Sequence, residues 1–221
     1  MAAPAALRSW RALVLLAILA VGGGGAFLWF RNAAESTPAE STGRAQSARL
    51  MNELMSGKAR IGGPFTLTDQ HGKPTSLADF RGKLVLLYFG YTFCPDVCPT
   101  DLLTMAQTVG MLGAQGGGVQ PVFVTLDPER DTQALLGNYV EAFHPRFVAL
   151  RGSEDEVRRV AMTYKIYFEK LRPPGSAAYL IDHMAFVFLL DRDGKYLAFF
   201  PPGTTAERMA VMVREHLAQP G

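Results

Sequence analysis

The chain has little sulfur chemistry to spare and little charge of either sign. Only two cysteines, Cys94 and Cys98, occur in 221 residues, and they stand four positions apart in one segment, GYTFCPDVCPTDL. Two cysteines are too few for a disulfide scaffold, and a bridge closing so short a loop adds little stability, so the pair reads as a site rather than a staple. A formal net charge of +2 with 19% charged residues, and no basic cluster interleaved with aromatics, excludes an electrostatic nucleic-acid binder. There is no internal repeat. What remains is ordinary globular composition, 48% apolar, with length for one core plus appendages.

The longest uncharged apolar stretch lies at the start, MAAPAALRSWRALVLLAILAVGGGGAFLWFRN. Arg8 and Arg11 precede a run from Ala12 to Phe30, which Arg31 closes. A helix over 12–30 spans about 28 Å at about 1.5 Å per residue, enough to cross a bilayer core. Trp10 and Trp29 suit the two interfaces, and the leading arginines place residues 1–11 in the cytoplasm. Residues 12–30 are therefore expected to anchor the protein in a membrane, with the remainder on the far side. A cleaved signal peptide is the alternative, and it exports the domain equally. Residues 31–60, rich in Ala, Ser, Thr, Glu and Arg, read as a tether, and residues 61–221 as one folded domain.

Within that domain, PFTLTDQHGKPTSL reads as two short strands about a turn, and KLVLLYFGY as a strand buried on both faces. PTDLLTMAQTVGMLGAQ has helical spacing. Strand, helix, strand and helix follow in VQPVFVTLD, TQALLGNYVEAF, RFVAL and SEDEVRRVAMTYKI. AFVFLLDRDGKYLAFF reads as a hairpin and TTAERMAVMVREHLAQ as a closing helix. The alternation predicts an α/β fold with a central, mainly parallel sheet flanked by helices. The cysteine segment falls after a central strand and before a helix, where open α/β sheets collect ligands and reactive groups.

A residue before proline is pushed from helical backbone, so both cysteines are expected in a loop, with Cys98 as N-cap and Pro99 as the first helical residue. The helix dipole then lowers the Cys98 pKa. Two sulfurs aimed at one point can close a disulfide, exchange disulfides or bind a soft metal. Of four histidines, His71 reads as a solvated turn residue, His144 as a loop residue and His216 as a helix C-terminal residue. His183 enters the strand MAFVFLL and can approach the cysteine end of the sheet, and its location leaves ligand and structural histidine equally open. In TLDPERDT, Asp127 stands at a strand end, where it can support the site, and Asp131 reads as a helix N-cap. Met184, beside His183, stays open as a soft ligand.

GGPFTLTDQHGK, DFRGKLVLLYFGYTFCPDVCPTDL, TLDPERDT and DHMAFVFLLDRDGKY together resemble the Sco/SenC proteins, copper chaperones of cytochrome c oxidase assembly, from about Gly62 to Leu217. The resemblance implies a thioredoxin-like fold and copper, Cu(I) or Cu(II), held by Cys94, Cys98 and His183. It also makes Asp127 and Asp131 motif positions, candidates for support behind the ligands. The implied role is delivery of copper to the dinuclear copper A site of oxidase subunit II, or reduction of that site's cysteines with Cys94 and Cys98 as redox-active thiols. Implied partners are subunit II, a copper donor protein and a thioredoxin-like reductant. The implied location is membrane-anchored outside the cytoplasm, on the periplasmic face in a bacterium or in the mitochondrial intermembrane space.

Two rivals share the paired cysteines. A thiol-disulfide oxidoreductase of the thioredoxin type carries CxxC and a proline before the later strand, whereas this chain has CxxxC and His183-Met184 there. A peroxiredoxin carries Thr or Ser three residues before the attacking cysteine, where this chain has Pro95.

Overall fold

The structure, a computed structural model, describes residues 61–172, 175 and 178–219. The expected cytoplasmic segment 1–11, membrane anchor 12–30 and tether 31–60 lie outside those residues. Among the described residues no helix is long and apolar enough to cross a membrane.

Thirteen regular elements follow the order read from the sequence, with one pair added. Strands β1 (Thr66–Asp69) and β2 (Pro74–Ser76) form a hairpin, and β3 (Leu84–Gly90) leads through the cysteine segment into helix α1 (Val97–Met111). Then come β4 (Val119–Thr125), α2 (Gln133–Glu141), β5 (Val148–Arg151) and α3 (Glu154–Thr163). Strands β6 (Phe168–Leu171) and β7 (Leu180–His183) pair only with each other. The hairpin β8 (Val187–Leu190) and β9 (Tyr196–Phe200) and the helix α4 (Ala206–Leu217) complete the domain.

The main sheet runs β2-β1-β5-β4-β3-β8-β9. Every residue of β3 and β4 is buried, as a strand covered on both faces requires. α1 packs against α4 over this sheet. The expectation of a mainly parallel sheet is corrected to a mixed one. Only β3/β4 and β4/β5 are parallel, while β1/β2, β1/β5, β3/β8 and β8/β9 are antiparallel. Connection length accounts for four of these six pairings. A parallel neighbour needs a crossover of about a dozen residues or more, which the α1 and α2 segments supply, whereas the turns at Gly72 and Gly194 can only reverse the chain. Both glycines have positive φ, 84° and 83°.

Two registers place the site. The parallel pairing of Gly90 with Thr125 sets the ends of β3 and β4, and hence residues 91–96 and 126–132, side by side. The antiparallel pairing of Tyr88 with Val187 brings the chain from His183 into β8 at that same end.

Helix α3 ends in a Schellman motif: Ile166 N donates to Ala161 O at 2.9 Å and Lys165 N to Met162 O at 3.0 Å. Lys165 occupies the left-handed position at φ 60°, where glycine is usual. Lys165→Gly should raise stability by about 1 kcal/mol by removing the Cβ clash of that conformation. Chemical denaturation of both proteins checks this, and a variant no more stable than wild type would show that the lysine side chain makes up the strain.

Candidate metal centre

Gly90 ends β3 at the floor of the site, and a Cβ built there would lie 2.8 Å from Cys98 Sγ and 2.8 Å from Tyr88 Cε1. The absence of a side chain is what lets the sulfur sit over the strand end. The loop then turns, with Cys94 N donating to Tyr91 O at 3.2 Å, and α1 starts at Val97 with Asp96 as N-cap. Cys98 is therefore in the first helical turn and fully buried, not the expected N-cap. Pro99 fits two positions further in, as the third helical residue, because first-turn N–H groups have no intrahelical acceptor to lose.

The helix start acts on the other cysteine. Cys94 is half-buried, and the Cys98 thiol and the amides of Asp96 and Cys98 around it favour its thiolate. The Cys98 thiol has the larger effect, and together these contacts bring Cys94 down to about 5 against the cost of burial. Cys98 moves the opposite way, because it keeps the proton that stabilises its partner and because it is buried. The pair shares one proton, with the anion on Cys94. Both cysteines are free thiols.

His183 ends β7, paired in register with Phe168. Its Nδ1 lies 3.3 Å from the Ile181 carbonyl, which can only accept, so Nδ1 carries the proton and Nε2 presents a lone pair. Burial, the leading cause, lowers the His183 pKa and keeps the ring neutral. The rings of Tyr88 and Tyr91 stand edge-on to it at 6.4 and 5.9 Å. Nε2 lies 3.5 Å from Cys98 Sγ. That is the separation left between a sulfur about 2.3 Å and a nitrogen about 2.0 Å from one metal ion at a near-tetrahedral angle. Two sulfurs and a neutral imidazole fit a soft ion such as copper. Among the described residues, however, no three His, Cys, Asp or Glu side chains already converge on one centre.

Neither predicted aspartate reaches the sulfurs. Asp127 is fully buried, accepting from Arg130 Nε and, at 2.7 Å, from the Tyr179 hydroxyl. Asp131 is also fully buried, and the N-cap of α2 is Thr132, which accepts from Leu135 N. The carboxylate of Asp131 turns inward instead, accepting from Thr92 N at 3.1 Å, Thr92 Oγ1 at 2.6 Å and Thr125 Oγ1 at 2.5 Å. It thereby pins the loop two residues before Cys94. Burial raises its pKa against those hydrogen bonds.

The remaining candidates stay apart from the thiols. His71 is exposed, His144 accepts from Arg146 N at 3.1 Å, and His216 lies in the last turn of α4. Met184 is half-buried and lines, with Met162 and His183, a cleft of about 480 Å³ beside the site. Sequence reading passed over Arg130, Tyr91 and Tyr179. Tyr91 hydroxyl accepts from Ile181 N at 3.1 Å, binding the cysteine loop to β7. The only signal for any of them was the position of Arg130 between the two motif aspartates.

The mixed sheet, with paired cysteines after its central strand and a histidine beside one of them, defines a thioredoxin-like domain with thiol and imidazole groups at one end of the sheet. The model of the SCO1/SenC family matches residues 53–218, and the chain belongs to that family. The mitochondrial SCO2 homolog of Bos taurus is 38% identical over 209 residues, 93% of this chain and 75% of that protein. The solved structure of Arabidopsis thaliana ScoI with copper bound is 34% identical with a TM-score of 0.68, covering 72% of this chain and 99% of that one. BsSco, called a member of the Sco family of cytochrome c oxidase assembly proteins, matches with 23% identity and a TM-score of 0.58 over 72% of this chain and 95% of that one, which speaks for the fold.

Proposed function

We propose that this chain is a membrane-anchored copper metallochaperone that binds one copper ion through Cys94, Cys98 and His183 and delivers it to the dinuclear copper A site of cytochrome c oxidase subunit II. The observation that carries the reading is the 3.5 Å approach of His183 Nε2 to Cys98 Sγ. It joins residues 85 positions apart into one donor pair with a lone pair facing a sulfur. Copper bound in relatives such as Arabidopsis ScoI supports the choice of metal. Copper here is cargo: the thiolates suit Cu(I), and the neutral imidazole lets the same site take Cu(II). An anchor at 12–30 and a tether at 31–60 hold the domain at the membrane face outside the cytoplasm, raising its effective concentration near a membrane-bound acceptor. Asp127 and Asp131 act behind the ligands by fixing the loops that carry them.

The unequal cysteines favour a second reading, reduction of the subunit II copper-ligand cysteines. Half-exposed Cys94 is the thiolate that attacks a partner disulfide, forming a mixed disulfide and releasing one partner thiol. Cys98 then attacks Cys94 Sγ, releasing the second partner thiol and leaving a Cys94–Cys98 disulfide. The partner gains two electrons, and a thioredoxin-like reductant resets the pair.

An anaerobic copper titration of the reduced full-length protein distinguishes the two. One equivalent should bind to wild type, Cys94→Ser and Cys98→Ser should each lose it, and His183→Ala should weaken Cu(II) binding severely while weakening Cu(I) less. Weak binding by wild type together with rapid disulfide exchange would make the protein a reductase.

A further inference from the structure

The loop after β3, the loop after β4 and the segment entering β7 meet at the site, and one side chain touches them all. Arg130 donates through Nε to the buried Asp127 carboxylate and through Nη1 to the Tyr179 carbonyl at 3.0 Å. Its guanidinium carbon lies 3.7 Å from the centre of the Tyr179 ring and 4.8 Å from that of Phe93. Phe93 is the residue before Cys94, and Tyr179 opens the segment that runs through β7 to His183. The Tyr179 hydroxyl completes the circuit by donating to Asp127. A planar guanidinium that is both forked and stacked fixes orientation as well as distance, which a rotatable ammonium does not.

We infer that Arg130 is a positioning residue that sets the Cys94 loop against the His183 strand, and that the imidazole-dependent form of the site relies on it while the two-thiolate form does not. The reason is topological. Cys94 and Cys98 belong to one loop and helix start, so two thiolates reach a Cu(I) ion without help from another element. His183 comes from a ribbon outside the main sheet. Any state that needs sulfur and imidazole together depends on what joins ribbon to loop. Cu(II) is that state, being the harder ion that draws on the imidazole. The inference rests on the copper reading above.

The test uses full-length Arg130→Lys and Arg130→Met. Cu(I) affinity is measured by competition with a chromophoric chelator, and Cu(II) affinity with the thiolate-to-Cu(II) absorption and the copper hyperfine splitting. Both variants should keep Cu(I) affinity within about threefold and lose Cu(II) affinity by about ten- to a hundredfold, with a shifted absorption band, the range for residues that orient a ligand. In a His183→Ala background, Arg130→Met should add no further Cu(II) loss, since both changes remove the same interaction. Normal Cu(II) binding in both variants overturns the inference. So does a defect in Arg130→Met that Arg130→Lys rescues, which assigns the effect to charge, and so do losses additive with His183→Ala. Should both Arg130 variants fail to fold, Tyr179→Phe decides, because it keeps the ring against Arg130 and removes the hydroxyl bonds to Asp127 and, at 3.3 Å, to Glu129: a selective, smaller Cu(II) loss supports positioning and unchanged Cu(II) binding refutes it. Wild type that shows no His183-dependent Cu(II) binding at all brings down the copper reading itself, which separates that failure from a failure of Arg130 alone.

Discussion

Replacing Gly90 with alanine is expected to lower stability by about 1–3 kcal/mol, the usual range for overpacking a filled core, and to weaken copper binding in the same protein. One methyl group has this reach because of where the new Cβ falls, 2.8 Å from Cys98 Sγ and from Tyr88 Cε1 and 3.1 Å from Phe123 Cε2. All three neighbours belong to fully buried residues. Tyr88 and Phe123 are central-strand aromatics locked by β3/β4 pairing, so the more mobile partner is the Cys98 side chain. Displacing it breaks the approach to His183 on which the donor pair depends. A melting curve and a copper titration on Gly90→Ala check both halves. Wild-type copper affinity in a destabilised variant would mean that the tyrosine yields and the sulfur stays, and would free the metal site from the packing of β3.

The second large effect concerns Asp101, on the inner face of α1. Its side chain is buried, Oδ2 has no hydrogen-bond partner among the described residues, and burial, the main cause, pushes its pKa up to about 6. The Tyr88 hydroxyl opposes that shift and the charge on Cys94 adds to it. In the unfolded chain the same carboxyl ionises near its ordinary value of 3.8. Below both values the group is neutral in either state and opposes nothing. Between about 3.8 and 6 the unfolded chain ionises while the folded protein keeps its proton in a buried, half-satisfied carboxyl, so stability falls across that window and levels off above it. The full penalty approaches about 3 kcal/mol at neutral pH, at about 1.4 kcal/mol per pKa unit. Asp101→Asn should therefore be more stable than wild type at pH 7.5, with the difference shrinking toward zero near pH 4. Urea denaturation at both pH values measures it. A variant less stable than wild type at pH 7.5 would show that the ionised carboxylate has a partner in solution.

Patterns carried by single elements were legible in the sequence. The uninterrupted apolar run at Leu84–Gly90 announced a central strand, and its junction with CPDVCP located the site. Relations between elements were harder to read. Strand alternation gave the order of β3, β4 and β5 but not the antiparallel direction of their neighbours β1 and β8. The ribbon β6/β7 escaped because YFEKLR and AYLIDH show no clean alternation against a core, since the ribbon joins no larger sheet. Asp131 was misread as a cap because Asp is a better N-cap than the Thr that follows it, and only the inward hydroxyls of Thr92 and Thr125 decide that Thr132 caps while Asp131 turns in. Cys98 was displaced from cap to first turn because a proline after it biases backbone without forbidding a helical start. Arg130 was invisible because its aromatic partners come from Tyr91, Phe93 and Tyr179, far apart along the chain.

The ribbon that bears His183 has a kinetic meaning. It is hydrogen-bonded as a two-stranded unit and contributes nothing to the seven-stranded sheet. Small units of this kind open locally at less free energy than the whole domain. If Cys94, Cys98 and His183 hold copper as proposed, opening of the ribbon would free the nitrogen donor while the two sulfurs keep their hold, letting an incoming ligand replace the old bonds one at a time. Under the copper reading, the residence time of the cargo is a property of β6 and β7, adjustable without touching the core.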